Sequence, residues 1–273
     1  MNTNAQVASH YTAEDVVQRI DALLREQGID PAHPTLDSLA PYDNFHSRGL
    51  EATLDLIALA NFPAGARVLD IGGGLGGPAR VLADRAKVQV TVLDLTPSFI
   101  EQGRILTERV GMSDQVAFEL GDGTAMPFAD ESFDGVWTQH STMNIPDKRG
   151  LYSEIHRVLK PGGRLVMQEV MAANGEPVVY PVPWAVTADL SFLSLATEMR
   201  ASIVDAGFRE LAWENETQKV LGALGPPQGG APSQQPAGLT VLFGPAFLER
   251  IRNMGSNFRS GTLVVVQALF ERV

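Results

Sequence analysis

VLDIGGGLGGPAR, residues 68–80, is an apolar run that ends in an acid and is followed by five glycines in six residues. Glycine has no Cβ, so it tolerates positive φ and lets a ligand approach the backbone. Pro78 suits the first turn of a helix, whose free N–H groups attract polar ligands. Dinucleotides, mononucleotides and S-adenosylmethionine (SAM) are bound at such turns, and the stretch alone does not choose among them. A tight turn without a ligand is the less favoured interpretation, because so many glycines cost conformational entropy.

Apolar strand patterns and helical patterns alternate on both sides of this turn. Strands separated by helices predict a parallel sheet covered on both faces, and right-handed crossovers make that sheet doubly wound. The predicted strands are 66–71, 88–93, 116–120, 133–138, 164–170, 209–214 and 262–270. The predicted helices between them are 78–86, 97–110, 148–159, 197–206 and 245–254.

The segments outside this alternating pattern are less regular. Residues 1–10 are predicted to be disordered, and a helix is expected to open at Thr12 and to end at Gly28. A proline-rich connection and a helix over 47–59 follow, which suggests an N-terminal helical extension over 1–45 ahead of a main domain over 46–273. Residues 222–240 are rich in Gly, Pro, Gln and Ser, which predicts a mobile loop.

Composition excludes several classes of function. The 273 residues contain no cysteine, which rules out disulfides and thiolate ligands or nucleophiles. The net charge of −11 opposes a general nucleic-acid binder. The five histidines are not spaced as metal ligands, so no metal site is expected. No apolar run reaches the roughly 18–20 residues that a membrane span needs, and the N-terminus does not read as a signal peptide. A soluble, cytoplasmic protein is therefore predicted.

Two acids downstream of the glycine turn narrow the choice of ligand. Asp94 ends the second strand, 22 residues after Gly72, where an acid can bind the ribose hydroxyls of a nucleotide. This position also fits NAD. Asp122 follows the third strand and can accept a hydrogen bond from an adenine amino group, with Met126 and Phe128 as apolar walls. SAM has adenosine but no pyrophosphate, and the sequence shows no basic phosphate clamp.

The ordered motifs VLDIGGGLGG, VTVLDLTP, GDGTAMPF, SFDGVW and HRVLKPGG resemble those of the class I SAM-dependent methyltransferases. The similarity covers about residues 46–215 and is strongest to the branch of ubiquinone/menaquinone C-methyltransferases and sarcosine/dimethylglycine N-methyltransferases. It implies an α/β, Rossmann-like, doubly wound sheet of seven mostly parallel strands with an antiparallel last strand. N-terminal helices and a lid insert, with lid segments at about 171–195 and 222–258, complete the expected architecture.

The resemblance also implies which residues hold the cofactor SAM. Asp94 and Asp122 should bind the ribose and the adenine amino group, and Gln139 should face the methionine moiety. The full expected set is Asp70, Gly72, Gly74, Gly76, Asp94, Leu95, Asp122, Gly123, Thr124 and Gln139.

The methyl acceptor should lie beyond the carboxyl ends of strands four and five. Glu169 and His140 are the candidate bases there, although a carboxylate paired with an arginine or an amide, or a packed histidine, would look the same in sequence. An aromatic lid would favour an apolar or cationic acceptor. The expected substrate-binding residues are Met143, Tyr180, Trp184, Phe192 and Phe247.

The residues leave the acceptor atom open. A carbon acceptor on an apolar, isoprenoid-like small molecule is slightly favoured, against an amine nitrogen or an oxygen with His140 as base. A SAM-binding module without turnover, an NAD-dependent oxidoreductase and a nucleic-acid methyltransferase are competing interpretations. The GDGTAMPF and KPGG segments oppose the oxidoreductase, and QHSTMN after strand four lacks the motif of nucleic-acid enzymes. A homo-oligomer is left open.

Overall fold

Seven strands form one sheet in this computed structural model, which describes residues 3–11, 15–225, 244 and 246–273. The strands are β1 (Arg67–Ile71), β2 (Gln89–Asp94), β3 (Val116–Leu120), β4 (Phe133–Gln139), β5 (Leu159–Ala172), β6 (Phe208–Asn215) and β7 (Leu263–Arg272). Their order in the sheet is β3-β2-β1-β4-β5-β7-β6.

Strands β1 to β5 pair in parallel, whereas β7 runs antiparallel to both β5 and β6. The predicted seven-stranded, mostly parallel sheet with an antiparallel last strand is therefore confirmed. The carboxyl ends of β1, β2, β3 and β4 lie along the same edge of the sheet, because parallel strands share their direction. That edge carries the glycine turn and the predicted acids.

The described helices are α1 (Thr3–Tyr11), α2 (Val16–Glu26), α3 (Leu36–Asp43), α4 (Leu50–Ala60), α5 (Gly77–Ala86), α6 (Pro97–Arg109), α7 (Lys148–Val158), α8 (Ala196–Asp205), α9 (Thr217–Leu224) and α10 (Ala246–Arg259). None of them is long and apolar enough to cross a bilayer.

Both faces of the sheet are buried, because successive side chains of a strand point to opposite sides. Leu69 and Val136 pack in a core cluster with residues of α7 and α8. Their chain neighbours Val68 and Trp137 pack in a second cluster with residues of α4 and α5. The near-continuous apolar runs of these strands follow from this double burial.

The N-terminal region is more ordered than the sequence suggested. Residues 3–11 form α1, so the prediction of disorder over 1–10 was wrong for the described part. The proline-rich connection contains α3, which Thr35 and Ser38 cap reciprocally. The helix expected from residue 47 begins at Leu50, because Gly49 has φ +50° and stands at its N-cap. Thr12 lies outside the described residues.

The predicted lid segments are 171–195 and 222–258, and the second is described only in part. Residues 171–195 contain a single turn of 3₁₀ helix at Ala188–Leu190. The segment predicted as a loop begins with the last turn of α9, and residues 226–243 lie outside the described residues. Helix α10 continues to Arg259, five residues further than expected. The boundary at residue 45 and the two lid segments stay predictions.

Candidate functional site

A cavity of about 1210 Å³ lies beyond the carboxyl ends of β1, β2 and β4. In open α/β sheets this edge is where ligands bind. The volume exceeds the roughly 300–1,000 Å³ of a typical single-ligand pocket, so there is room for two ligands side by side. Residues of α1, α9 and α10 also line the cavity.

The glycine turn forms one wall of this cavity. Gly72 and Gly74 line it and have φ of +71° and +55°. A Cβ on Gly72 would lie 2.5 Å from the Cβ of Ser141, so the protein itself also excludes a side chain there. Gly76, predicted to contact the cofactor, is not among the described lining residues. A Cβ on Gly76 would meet the Phe118 ring at 2.6 Å, which makes this glycine a packing requirement.

Asp94 holds the glycine turn in place from the end of β2. Its Oδ2 accepts the backbone N–H of Gly74 at 2.9 Å, and its Oδ1 accepts that of Thr96 at 2.8 Å. Each carboxylate oxygen has a second acceptor site, so a hydroxyl in the cavity can still donate to it. Burial raises the pKa of Asp94.

Asp70 is the unsatisfied acid of the site. Its Oδ2 is buried and has no hydrogen-bond partner among the described residues. Burial, with a further contribution from the nearby charge of Asp94, raises the pKa of Asp70 to about 8. A buried carboxyl without a partner is expensive, and a cationic ligand group beside it would remove that cost.

Asp122 lines the cavity at the end of β3 and is already hydrogen-bonded. Its Oδ1 accepts the backbone N–H and the hydroxyl of Thr124, both at 2.8 Å. Its Oδ2 accepts the side-chain amide of Asn4 at 2.6 Å, so α1 reaches over this corner. Leu95, Gly123 and Thr124 also line the cavity, as predicted. Asn4 was missed, because a single asparagine in a polar N-terminal stretch carries no sequence signal.

Gln139 ends β4 within a chain of polar side chains. Its Nε2 donates to Gln168 at 3.0 Å, and its Oε1 lies 3.4 Å from the hydroxyl of Thr53. That hydroxyl is 3.0 Å from Nε2 of His46, which also lines the cavity. The network fixes the orientation of the Gln139 amide. His46 was not predicted, since it follows the proline-rich connection and nothing nearby marks it.

His140, the residue after β4, faces His46 across the cavity wall. The ring centroids are 6.1 Å apart and nearly perpendicular. The backbone of His140 has φ +52°, which is strained for a residue other than glycine. Its Nε2 is buried without a hydrogen-bond partner in the described part of the chain. Burial, reinforced by His46, lowers the pKa of His140 to about 3. The imidazole is therefore neutral at physiological pH.

Glu169 is fully buried in β5 and is not among the described residues that line the cavity. Its Oε2 accepts the backbone N–H groups of Ser141 and Thr142, each at 3.1 Å. The side chain thus anchors the loop that carries His140 and Met143. Burial raises the pKa of Glu169.

The predicted substrate residues separate into two groups. Met143, Trp184 and Phe247 line the cavity, whereas Tyr180 and Phe192 do not. Tyr180 packs against the apolar cluster behind Trp184, and Phe192 donates its backbone N–H to Met143 at 2.8 Å. Three more lining residues follow Phe247 on α10 at helical spacing: Arg250, Ile251 and Met254. The i, i+3, i+4, i+7 pattern was the signal that could have found them.

The strand order and the acids at the strand ends are consistent with a comparison of the sequence with known protein families. Residues 69–167 match the family model described as a methyltransferase domain. These residues of the chain are therefore similar to a methyltransferase domain.

Part of the chain is also similar to a curated plant protein. A probable chloroplastic tocopherol O-methyltransferase of Oryza sativa subsp. japonica is 40% identical over 110 residues, which are 40% of this chain and 30% of that protein. The chain thus spans about a third of the length of that curated relative.

Two solved structures have folds similar to that of this chain. The geranyl diphosphate C-methyltransferase of Streptomyces coelicolor A3(2), in complex with Mg²⁺, geranyl-S-thiolodiphosphate and S-adenosyl-L-homocysteine, has a TM-score of 0.71 at 19% identity and covers 100% of this chain and 99% of that one. The [4+2]-cyclase SpnF has a TM-score of 0.61 at 22% identity, covering 81% and 80%.

Proposed function

We propose that this chain is a SAM-dependent methyltransferase that acts on a small molecule, with a carbon on an apolar, isoprenoid-like acceptor favoured. The observation that carries the proposal is one cavity lined by both acids and large apolar side chains. Asp94 and Asp122 line it together with the glycine turn, and Met143, Trp184 and Phe247 are among its apolar lining residues. The names of the geranyl diphosphate and tocopherol enzymes support an isoprenoid-like acceptor.

The residues fit SAM as cofactor. Asp94 would hold the ribose hydroxyls, Asp122 with Gly123 and Thr124 the adenine edge, and Leu95 the adenine face. The buried, unpaired Oδ2 of Asp70 would meet the positively charged methionine end, where Gly72, Gly74 and Gln139 also lie. When bound, SAM supplies an electrophilic methyl group on a sulfonium.

The chain's own contribution is alignment, water exclusion and one proton acceptor. In-line displacement depends mainly on holding the two reactants at the right distance and angle. Helices α1 and α10 supply lining residues that would reduce the contact of the reacting atoms with water. A carbon that gains a methyl group must lose a proton, and the neutral His140, which lines the cavity, is the candidate base. Glu169 acts on this step indirectly, because it anchors the loop that follows His140.

Calorimetry with SAM and S-adenosylhomocysteine tests the cofactor. Micromolar binding is expected for the wild type, and Asp94→Ala should lose most of it. Undiminished binding in Asp94→Ala would remove the ribose assignment. A change in nicotinamide fluorescence on titration, without binding of SAM, would instead favour an oxidoreductase.

Turnover of His140→Ala and Glu169→Gln tests the two candidate bases. We expect His140→Ala to slow methyl transfer while it still binds SAM. Glu169→Gln should weaken binding and stability together, because it disturbs the loop. If both variants keep near-normal turnover, neither residue is the base.

A second candidate, a SAM-binding protein without methyl transfer, is favoured by the similarity to a cyclase with this fold. Cofactor binding without methylation of any carbon, amine or hydroxyl acceptor in a broad panel would support it. Methylation of amines or hydroxyls alone would move the proposal to N- or O-transfer. A cytoplasmic location and the absence of nucleic-acid partners stay predictions.

A further inference from the structure

Arg250 brings a cation to the wall of the cavity. It lies on α10 and lines the cavity, and it has no carboxylate within 4.0 Å in the ranges that the structure describes. The other lining arginine, Arg48, is neutralised by Asp55 at 2.8 Å and Glu216 at 3.0 Å. Arg250 is thus a cation without a described counterion, in a chain of net charge −11.

The described polar contact of Arg250 leaves most of its donors available. Nε2 of His10 lies 3.5 Å from its Nη1 and 3.2 Å from the carbonyl oxygen of Pro183. This nitrogen either donates to Pro183 or accepts from Arg250, depending on the tautomer of His10. It can therefore take at most one of the five N–H groups of the guanidinium, and the others can bind another acceptor.

Apolar neighbours of Arg250 would strengthen the binding of an anion. Phe247, Ile251 and Met254 lie on the same face of α10 as Arg250 and also line the cavity, and Arg250 is half-buried. Hydrogen bonds between ionised partners are stronger than neutral ones, and more so where water is excluded. The planar fork of an arginine matches two carboxylate oxygens at once.

We propose that Arg250 binds a carboxylate of the methyl acceptor, so that the acceptor is an apolar acid. This assignment rests on the proposed function, since it places a methyl acceptor in this cavity. One guanidinium offsets a single negative charge. A monoanion therefore fits Arg250 better than a diphosphate.

Calorimetry with decanoate, decanol and decyl phosphate, in the presence of saturating S-adenosylhomocysteine, tests the proposal on the whole chain. We expect decanoate to bind at least about tenfold more tightly than decanol, as for a hydrogen bond between ions in a partly dry site. Arg250→Gln should abolish this preference, and Arg250→Lys should restore only part of it. Arg252→Gln, at an exposed position two residues further along α10, should behave as the wild type.

Three results would overturn the proposal. Equal affinity for decanoate and decanol would show that the cavity has no anion site. Tighter binding of decyl phosphate than of decanoate would assign Arg250 to a phosphate. A loss of S-adenosylhomocysteine affinity in Arg250→Gln as large as the loss for decanoate would assign Arg250 to the cofactor. If the wild type binds no S-adenosylhomocysteine at all, the proposed function fails instead, and decanoate can still be titrated alone.

Discussion

Gly72 is held by two separate constraints, its positive φ and the contact that a Cβ would make with Ser141. We expect Gly72→Ala to cost more stability than the about 1 kcal/mol of backbone strain alone and to abolish SAM binding. Gly65→Ala is the matched control, because Gly65 has φ +81° with nothing within 4 Å of the added Cβ. Denaturant unfolding and calorimetry measure both effects. Equal losses in the two variants would mean that the contact with Ser141 relaxes freely.

Asp70 should make the free energy of unfolding fall as pH rises from about 4 to about 8. Its pKa is raised to about 8 in the fold from 3.8, so the folded state keeps a proton that the unfolded state releases. Its contribution is therefore complete below pH 4 and is lost as pH rises towards 8. We expect Asp70→Asn to gain about 2 kcal/mol or more over the wild type between pH 5 and pH 8. Parallel unfolding free energies of the two proteins over that range would contradict the assignment.

The sequence identified the acids of the site but not their neighbours. Asp70, Asp94 and Asp122 follow strands at recognisable spacings, so local pattern was enough to place them at one edge. Asn4 and His46 reach the cavity only because distant helices fold over it, and no spacing records such a contact. Glu169 was placed correctly in its strand, but its hydrogen-bond partners were not predicted. The alternation of side chains along a strand does not reveal which backbone groups a buried carboxylate will bind.

Helix α3 is fastened to α5 by one buried ion pair. Nη2 of Arg80 donates to Asp43 at 2.7 Å, and both side chains are almost fully buried. Arg80→Met would leave the Asp43 carboxylate without its partner, and a loss of about 3–5 kcal/mol in unfolding free energy is expected. The double variant Arg80→Met with Asp43→Leu should recover part of that loss.

Arg85 provides the control on the same helix. Its side chain is 55% exposed and pairs with Asp84 at the surface, so Arg85→Met should change stability by less than about 1 kcal/mol. An equal effect of Arg80→Met and Arg85→Met would show that the buried pair does not fasten α3 to the domain.

The elements of the alternating strand and helix pattern were predicted well, whereas α1, α3 and α9 were missed. The strands of the sheet and helices α5 to α8 are bounded by glycine, proline or a change of period. Helix α3 contains Pro41 and is only eight residues long, so its local sequence resembles a loop. Helix α1 is weakly amphipathic and depends on packing, with Val7 buried against the rest of the fold.

Two buried neutral histidines act against the stability of the molecule in mild acid, opposite in sign to Asp70. Burial lowers the pKa of His46 to about 4 and that of His140 to about 3. The unfolded chain binds protons at these residues near pH 6.5, so stability is lost as pH falls from there towards 4. His46→Asn should reduce the fall in unfolding free energy between pH 7 and pH 4.5 by about 2 kcal/mol.

His33→Asn is the control for this measurement, because His33 is exposed. Circular dichroism during denaturant unfolding at the two pH values gives the free energies. An unchanged fall in His46→Asn would mean that the pocket admits enough water to solvate the charged ring.

Strand β7 lies between β5 and β6, although it follows both of them along the chain. During synthesis, β6 leaves the ribosome about fifty residues before β7, as the strand bounds show. Until then β6 has no partner strand, and β5 exposes a free edge on that side. A nascent chain stalled before residue 263 should therefore bind chaperones, and release past residue 272 should end that exposure.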